Sequence, residues 1–478
     1  MGAEQPYEMV VGLEVHIQLN TKSKLFSSDS TVFGADANSL TNEVSLAHPG
    51  TLPVLNKQAV KLAIKLGLAC NSEIAKEMYF DRKHYFYPDS PLGYQITQQN
   101  KPVCLGGYVS IPFKNQEKKV VLEKIHLEAD AGKSIHDQSD KYSLIDLNRA
   151  GMPLLELVTK PVLESPEEVG IFINEIQKIV RFLDVSDGNM EEGSLRCDAN
   201  ISLKRKSDTQ LGQKVEIKNM NSTRNVRKAL VYEYERQSEI LNTGGRVVGE
   251  SRLFNVNNGR TEDMREKEEA HDYRYFPDPD LAPFVVSEEM LEKIESKMIL
   301  LPFDLRKLFV EEYRLSPKEA LIIADNKITA KLIIDLVEAG IPADLAGKWL
   351  AGPVKALINQ SDLLFSLDSK ELASLVTLVN ENKITYTNAI NKVLPELVKS
   401  VGIETSKLVA EMNLTVDDDE SSLSGIIDGI LINHPEEVEA YKNGKKVLLQ
   451  LFMGQVMKQT QGKADPKITM KLIKDKIG

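Results

Sequence analysis

The amino-acid sequence predicts an α+β protein, with an antiparallel sheet in its N-terminal part and helices alone in its C-terminal part. Two patterns carry this expectation. Up to Lys218, five segments alternate apolar and polar residues at every second position, the period of a strand buried on one face. Beyond about residue 290, Leu, Ile and Ala recur at helical spacing, punctuated by capping signals such as Ser316-Pro317-Lys318-Glu319.

The five strands share a loaded polar face. Residues 9–20 set Met9, Val11, Leu13, Val15, Ile17 and Leu19 against Gly12, Glu14, His16, Gln18 and Asn20. Residues 121–130 set Ile125, Leu127 and Ala129 against Lys124, His126, Glu128 and Asp130. Residues 144–149 oppose Ile145 and Leu147 to Asp146 and Asn148, and residues 195–203 oppose Cys197, Ala199 and Ile201 to Arg196, Asp198, Asn200 and Ser202. In residues 215–218, Val215 and Ile217 oppose Glu216 and Lys218. In one sheet of common orientation, Glu14, Glu128, Asp146, Asp198 and Glu216 gather on one surface with two histidines. A solvated sheet face is rich in Thr, Ser and Lys; here acids and histidines outnumber them. Carboxylates held ~4 Å apart repel by roughly 4 kcal/mol per pair at an effective dielectric of about 20. Such a cluster binds a cation or takes up protons. Hard oxygen donors with an imidazole suit Mg²⁺ or a similar divalent ion, so the expectation is a metal site that receives a phosphorylated ligand.

The remaining elements frame that sheet. Asn56 caps a helix carrying Val60, Ala63, Ile64 and Leu68. Residues 79–89 interleave five aromatics with Arg82, Lys83 and His84, a surface that either stacks on a base or ribose or packs its rings as a strand. Ser165-Pro166-Glu167-Glu168 reads as a capping box opening a helix to about Leu183, and Ser222 caps another, closed by Gly244-Gly245. Both helices are placed to cover the apolar face and leave the polar face open. Pro277 and Pro279 end regular structure, which sets an N-terminal domain over 1–290; a helical domain over 291–406 and a small helical tail over 407–478 are expected after it.

Bulk properties narrow the function classes. A chain of 478 residues exceeds one core. It holds no run of 18 or more apolar residues and no leader-like N-terminus, so no membrane partner is expected. Cys70, Cys104 and Cys197 lack CxxC spacing, which argues against a disulfide framework and fits the reducing cytoplasm. The net charge of −11 is unevenly spread: residues 441–478 hold nine lysines against two aspartates. Such a segment is either a phosphate-binding surface or a solvated lysine-rich helix. Two motifs fail. Lys133-Ser134 ends like a Walker A loop, but its first glycine would fall at Leu127; His126-Leu127-Glu128 opens like a zinc deaminase signature, but no Pro-Cys-x-x-Cys follows.

Several stretches together resemble one family. They are Gly12-Leu13-Glu14-Val15-His16, Phe80-Asp81-Arg82-Lys83, His126-Leu127-Glu128 with Asp130-Ala131-Gly132-Lys133, and Asp146-Leu147-Asn148-Arg149-Ala150-Gly151. Arg196-Cys197-Asp198-Ala199-Asn200, Glu216-Ile217-Lys218-Asn219-Met220-Asn221-Ser222 and residues 268–277 complete the set. In order and over essentially the whole chain, they are similar to the B subunits of aspartyl/glutamyl-tRNA amidotransferases. The resemblance implies an antiparallel-sheet cradle of the glutamine synthetase and guanido kinase type, then an all-α helical domain and a tail that grips tRNA. It implies that ATP phosphorylates the side-chain carboxylate of Glu-tRNA(Gln) or Asp-tRNA(Asn), and that ammonia then displaces the phosphate to give Gln-tRNA(Gln) or Asn-tRNA(Asn).

On this reading Glu14, His16, Glu128 and Glu216 are the Mg²⁺ ligands, and Asp198 is a further ligand or orients the attacking group. Arg196 and Lys218 stabilise transition-state charge or serve as structural ion pairs. Lys83, Asn200 and Arg274 face the nucleotide; Arg82, Arg265 and His271 are further candidates for nucleotide, acceptor stem or ammonia path. Lys458, Lys463 and Lys467 face tRNA. No glycine/serine-rich amidase loop with a catalytic lysine is present, and Cys197 falls on the apolar face by parity. Ammonia is therefore expected from another chain: the resemblance implies a glutaminase A subunit and a small C subunit in a heterotrimer. Some relatives carry a zinc-binding cysteine cluster before the Pro-Gly-x-Leu-Pro turn. Here residues 43–48 read Glu-Val-Ser-Leu-Ala-His, so no zinc is expected.

Overall fold

The computed structural model describes residues 7–478 apart from 115, 137, 140, 265–271, 361–365, 401 and 417–419. The chain divides into two compact units, Met1–Asp304 and Leu305–Gly478.

The first unit is built on a ten-stranded sheet. Its strands in chain order are β1 (Tyr7–Gln18), β2 (Glu73–Ile74), β3 (Cys104–Leu105), β4 (Tyr108–Phe113), β5 (Gln116–Ala129), β6 (Pro153–Thr159), β7 (Leu195–Arg205), β8 (Val215–Lys218), β9 (Glu250–Asn255) and β10 (Arg260–Asp263). Across the sheet the order is β10-β9-β8-β7-β1-β6-β5-β3-β2, with β4 also beside β5. Leu13, Val15, Ile17, Leu155, Leu157, Ala199 and Ile201 lie on one face in a core of buried side chains. The same core takes up α1 (Lys57–Ala69), α2 (Pro166–Phe182) and α3 (Thr223–Asn242) through Ile64, Ile173, Ile176, Val226 and Leu230. Alternation then sends the even-numbered residues of β1, β5, β6, β7 and β8 to the other face.

Three expectations need correction. The sheet is mixed, because β8 and β9 run parallel; the helical crossover α3 between them permits this, whereas a tight hairpin would not. The strand Leu144–Asp146 pairs only with Lys133–Ile135, outside the large sheet. Asp146 therefore does not join the acidic row. Its Oδ1 accepts from the backbone N–H of Asn38 and Asn148 at 3.0 Å, and the Asn148 Oδ1 accepts from Leu40 N–H at 2.8 Å. The wholly buried Lys24 ammonium closes the same junction, donating to the carbonyls of Leu40 and Leu147. Burial draws its pKa down to about 8, against the opposing charges of Asp29 and Asp146. The third correction concerns the capping box at Ser165, which is half made. Ser165 accepts from Glu168 N–H, but the Glu168 carboxylate accepts from Glu164 N–H and pairs with Lys118 at 2.8 Å.

The other caps form as read. Asn56 accepts from Gln58 and Ala59, Ser222 from Asn225 at 3.2 Å, and the Ser316/Glu319 box is complete. Replacing Ser222 by Ala leaves an N–H of the first α3 turn without its partner; urea unfolding is expected to read a loss of about 1 kcal/mol.

A helix over Glu288–Glu295 spans the expected boundary near 290, and its Met290, Leu291 and Ile294 pack against the sheet's core. In the second unit every described regular element is helical. Its C-terminal part has its own core of Leu423, Ile427, Phe452, Val456 and Ile473. Among the described residues no helix is long and apolar enough to cross a membrane.

Candidate active site

The register of the five central strands decides which polar residues meet. β1 pairs with β7 so that Glu14 lies opposite Asp198 and His16 opposite Arg196. On its other side β1 pairs with β6, which sets His16 opposite Glu156, and β6 sets Glu156 opposite His126 of β5. β7 pairs with β8 so that Asn200 lies opposite Glu216. Two groups of side chains result.

The first group is two carboxylates interleaved with two imidazoles. His16 Nε2 lies 3.6 Å from Glu128 and 3.4 Å from Glu156; His126 Nε2 lies 3.7 Å from Glu128 and 3.4 Å from Glu156. Donor atoms of His16, Glu128 and Glu156 all fall within 4.8 Å of one another. Glu128 also accepts from Thr97 Oγ1 at 3.3 Å. Burial disfavours charge on all four groups, but the mutual contacts overcome it. The Glu156 hydrogen bond and the two carboxylate charges carry His16 up to about 9, hydrogen bonds to Glu128 and Glu156 with their charges raise His126, and the two histidines hold Glu128 and Glu156 below the usual carboxylate range. The buried His126 Nδ1 has no hydrogen-bond partner among the described residues.

The donor set fits a divalent cation. Two carboxylates and one imidazole converge from three adjacent strands, and Mg²⁺ or Mn²⁺ takes this number of protein ligands while keeping several waters.

The second group lies on β7, β8 and β9. Lys218 Nζ is 2.9 Å from Glu216 and 3.4 Å from Asp198. Ser251 donates to the other Glu216 oxygen at 2.6 Å. Burial alone would lower the Lys218 pKa, but Asp198 and Glu216 hold it above the lysine value. Asn200 Nδ2 donates to Glu14 at 2.9 Å, while its buried Oδ1 is left without a partner among the described residues. Burial raises the Glu14 carboxyl, the Asn200 bond opposes this, and the charges of Glu156, Glu216 and Asp198 add to it. Glu14 thus feels both groups. Arg196 donates to Asp130 at 2.7 Å, and Arg149 flanks the same carboxylate at 3.3 Å.

Lys83 lies on the strand Asp81–His84, its ammonium 4.7 Å from the Tyr273 ring. Arg82 is engaged by Asp278 and Asp280. Arg274 is exposed at a positive φ of 45°, its N–H bonded to Asp272. Arg265 and His271 fall outside the described residues. Lys458 and Lys467 are exposed and Lys463 half-buried, all in the second unit. Burial raises the Tyr275 phenol to about 12, with Tyr273, Glu128 and Glu156 adding to it.

His16 and Glu128 meet in the structure, and beside them stand Glu156 and His126, neither of which is among the ligands expected from the sequence. Glu216, expected beside them, is instead engaged by Lys218 and Ser251.

Comparison with known proteins follows the same division. Residues 9–292 match the family model described as the GatB/GatE catalytic domain, and residues 331–477 match the GatB domain. A protein of Thermodesulfovibrio yellowstonii is 43% identical over 470 residues, covering 98% of both chains. One of Prochlorococcus marinus strain AS9601 is 43% identical over 486 residues, covering 99% of each, and one of Pelagibacter ubique is 42% identical over 98% of this chain and 96% of its own. All three are named as the B subunit of an aspartyl/glutamyl-tRNA(Asn/Gln) amidotransferase. With the catalytic model spanning more than half of the sequence and these relatives matching nearly all of it, the chain belongs to the family of amidotransferase B subunits.

Proposed function

We propose that this chain activates the side-chain carboxylate of Glu-tRNA(Gln) or Asp-tRNA(Asn) with ATP and completes its conversion to the amide, Gln-tRNA(Gln) or Asn-tRNA(Asn). The observation that carries the reading is the convergence of His16, Glu128 and Glu156 beside a second charged group on one face of the sheet. A carboxylate is a poor electrophile; transferring a phosphoryl group to it creates a leaving group that ammonia displaces. The enzyme's part is then positioning and charge neutralisation.

His16, Glu128 and Glu156 would hold Mg²⁺, with Glu14 next to them on β1. When bound, the ion neutralises charge on the triphosphate oxygens. Lys218, fixed between Asp198 and Glu216, presents a positive charge to the phosphoryl group in transit, and Arg196, steadied by Asp130, offers a second. Asp198 orients Lys218 and the attacking group. Asn200, whose oxygen lacks a partner among the described residues, serves the nucleotide together with Lys83 and Arg274. Ammonia comes from a glutaminase A subunit, held with a small C subunit in a cytoplasmic heterotrimer. Lys458, Lys463 and Lys467 meet tRNA phosphates.

The test is the purified heterotrimer with each misacylated tRNA, ATP and glutamine. Amide formation with stoichiometric ATP cleavage is expected for at least one tRNA; ATP cleavage indifferent to misacylated tRNA would overturn the reading. Replacing Lys458, Lys463 and Lys467 together by Ala should weaken tRNA binding and flatten its salt dependence, by about 0.7–0.9 in log–log slope for each phosphate these lysines neutralise. Filter binding across a salt series reads this directly, and an unchanged slope would remove these lysines from the tRNA surface.

A further inference from the structure

The second unit carries an open cavity of about 410 Å³, lined by Lys348, Trp349, Asn380, Asn382, Tyr386 and Lys467 among others. We propose that it takes one unstacked nucleotide of the tRNA, its base lying on the Tyr386 ring. The proposal rests on the tRNA reading above and adds to it a site at which a single base is held.

The aromatic pair supplies the platform. Trp349 is 2% exposed and Tyr386 is 48% exposed, with ring centroids 5.4 Å apart at 76°. The two rings thus meet edge to face, with the indole buried and the tyrosine left partly exposed beside it. Every nucleobase offers a π-face to such a platform. Tyr386 is also fixed in place. It opens the short helix Tyr386–Asn388, capped by Thr385, and Thr385 Oγ1 and Asn388 Nδ2 both donate to the Gly462 carbonyl at 2.8 and 3.0 Å. That bond pair ties the ring to the segment leading into the helix Pro466–Ile477, whose second residue is Lys467.

The polar rim matches a nucleotide. Lys467 makes no ion pair among the described residues, and Lys348 has only an exposed i,i+4 contact with Asp344 at 3.4 Å, a pair of small worth. Both ammonium groups are therefore available to a phosphate. Asn380 and Asn382 carry no side-chain hydrogen bond among the described residues, so their amides can meet the donor and acceptor edge of a base. The volume lies within the range of sites for small ligands. RNA recognition commonly uses bases splayed from loops and stacked on aromatic side chains. An acidic peptide would satisfy the lysines but leave the exposed ring without a stacking partner.

Trp349 is the only tryptophan in the chain, so its fluorescence reports on this cavity alone. The full-length chain is titrated with unacylated tRNA(Gln) while tryptophan emission and anisotropy of labelled tRNA are followed. Emission is expected to change on saturation. Tyr386→Leu, which keeps an apolar contact with Trp349 but offers no ring, should bind roughly 5- to 100-fold more weakly and lose the emission change. Tyr386→Phe should restore both, and Lys467→Ala should lower the salt slope by about one phosphate's worth. Thermal melts of each variant establish that the fold is retained. Equal affinity and equal emission change in wild type and Tyr386→Leu would overturn the inference while leaving the tRNA reading standing. A response to an acidic peptide but none to tRNA would overturn it too. Failure of the wild-type chain to bind tRNA at all would remove the reading on which it rests.

Discussion

Replacing Glu156 by Gln is expected to abolish tRNA-dependent ATP cleavage, lowering the rate by roughly 10³-fold or more. Glu156 stands between the two histidines, 3.4 Å from each, and together with Glu128 it raises the pKa of both His16 and His126. The amide keeps the shape but removes a negative charge and one anionic ligand. It also leaves a buried amide facing two imidazoles that must shed protons or remain uncompensated, a change that weakens the fold as well as the chemistry. Glu156→Asp, which keeps the charge on a shorter arm, separates the two effects: stability should largely return, with activity recovering only in part. Rapid-quench assays of ATP cleavage, with melting temperatures of the same samples, read both. Full activity in Glu156→Gln would detach this residue from catalysis.

The second large effect is expected at Lys218. Its ammonium is held by Glu216 at 2.9 Å and Asp198 at 3.4 Å, with Ser251 fixing the far oxygen of Glu216. A cation so anchored is preorganised, and removing one such group typically costs on the order of 10²–10³ in kcat. Lys218→Met should show that loss with the affinity for divalent metal retained, since Lys218 belongs to the group on β7 and β8 and not to the histidine–carboxylate group. A variant that lost metal binding, or that kept full kcat, would show Lys218 to be a structural counter-ion.

The polar face was legible in the sequence because strand parity needs no partner. Glu14 with His16, His126 with Glu128, Arg196 with Asp198, and Glu216 with Lys218 each alternate with aliphatic residues, and the fold keeps them on one side. Register was not legible. Whether Glu216 or Glu156 completes the set around His16 depends on which strand lies beside β1, and local sequence does not encode that choice. β6 concealed itself for a related reason. In Pro153-Leu154-Leu155-Glu156-Leu157-Val158-Thr159 a single acid interrupts an apolar run, because this strand is buried between β1 and β5 and both of its faces are covered at Leu154. Asp146 misled in the opposite direction: two polar residues at alternate positions imitate a strand face, yet they serve the junction with residues 36–40. The helical half was read from spacing and caps, while its aromatic cavity, assembled from residues more than 100 positions apart, left no local trace.

His16, Glu128 and Glu156 together should form a single divalent site. Mn²⁺ titration of the full-length chain, followed by electron paramagnetic resonance of the free ion, tests it most directly. Wild type and Lys218→Met should remove one equivalent of Mn²⁺ from solution, competed by Mg²⁺, and Glu156→Gln should bind at least about 100-fold more weakly. Equal Mn²⁺ uptake by wild type and Glu156→Gln would contradict the account.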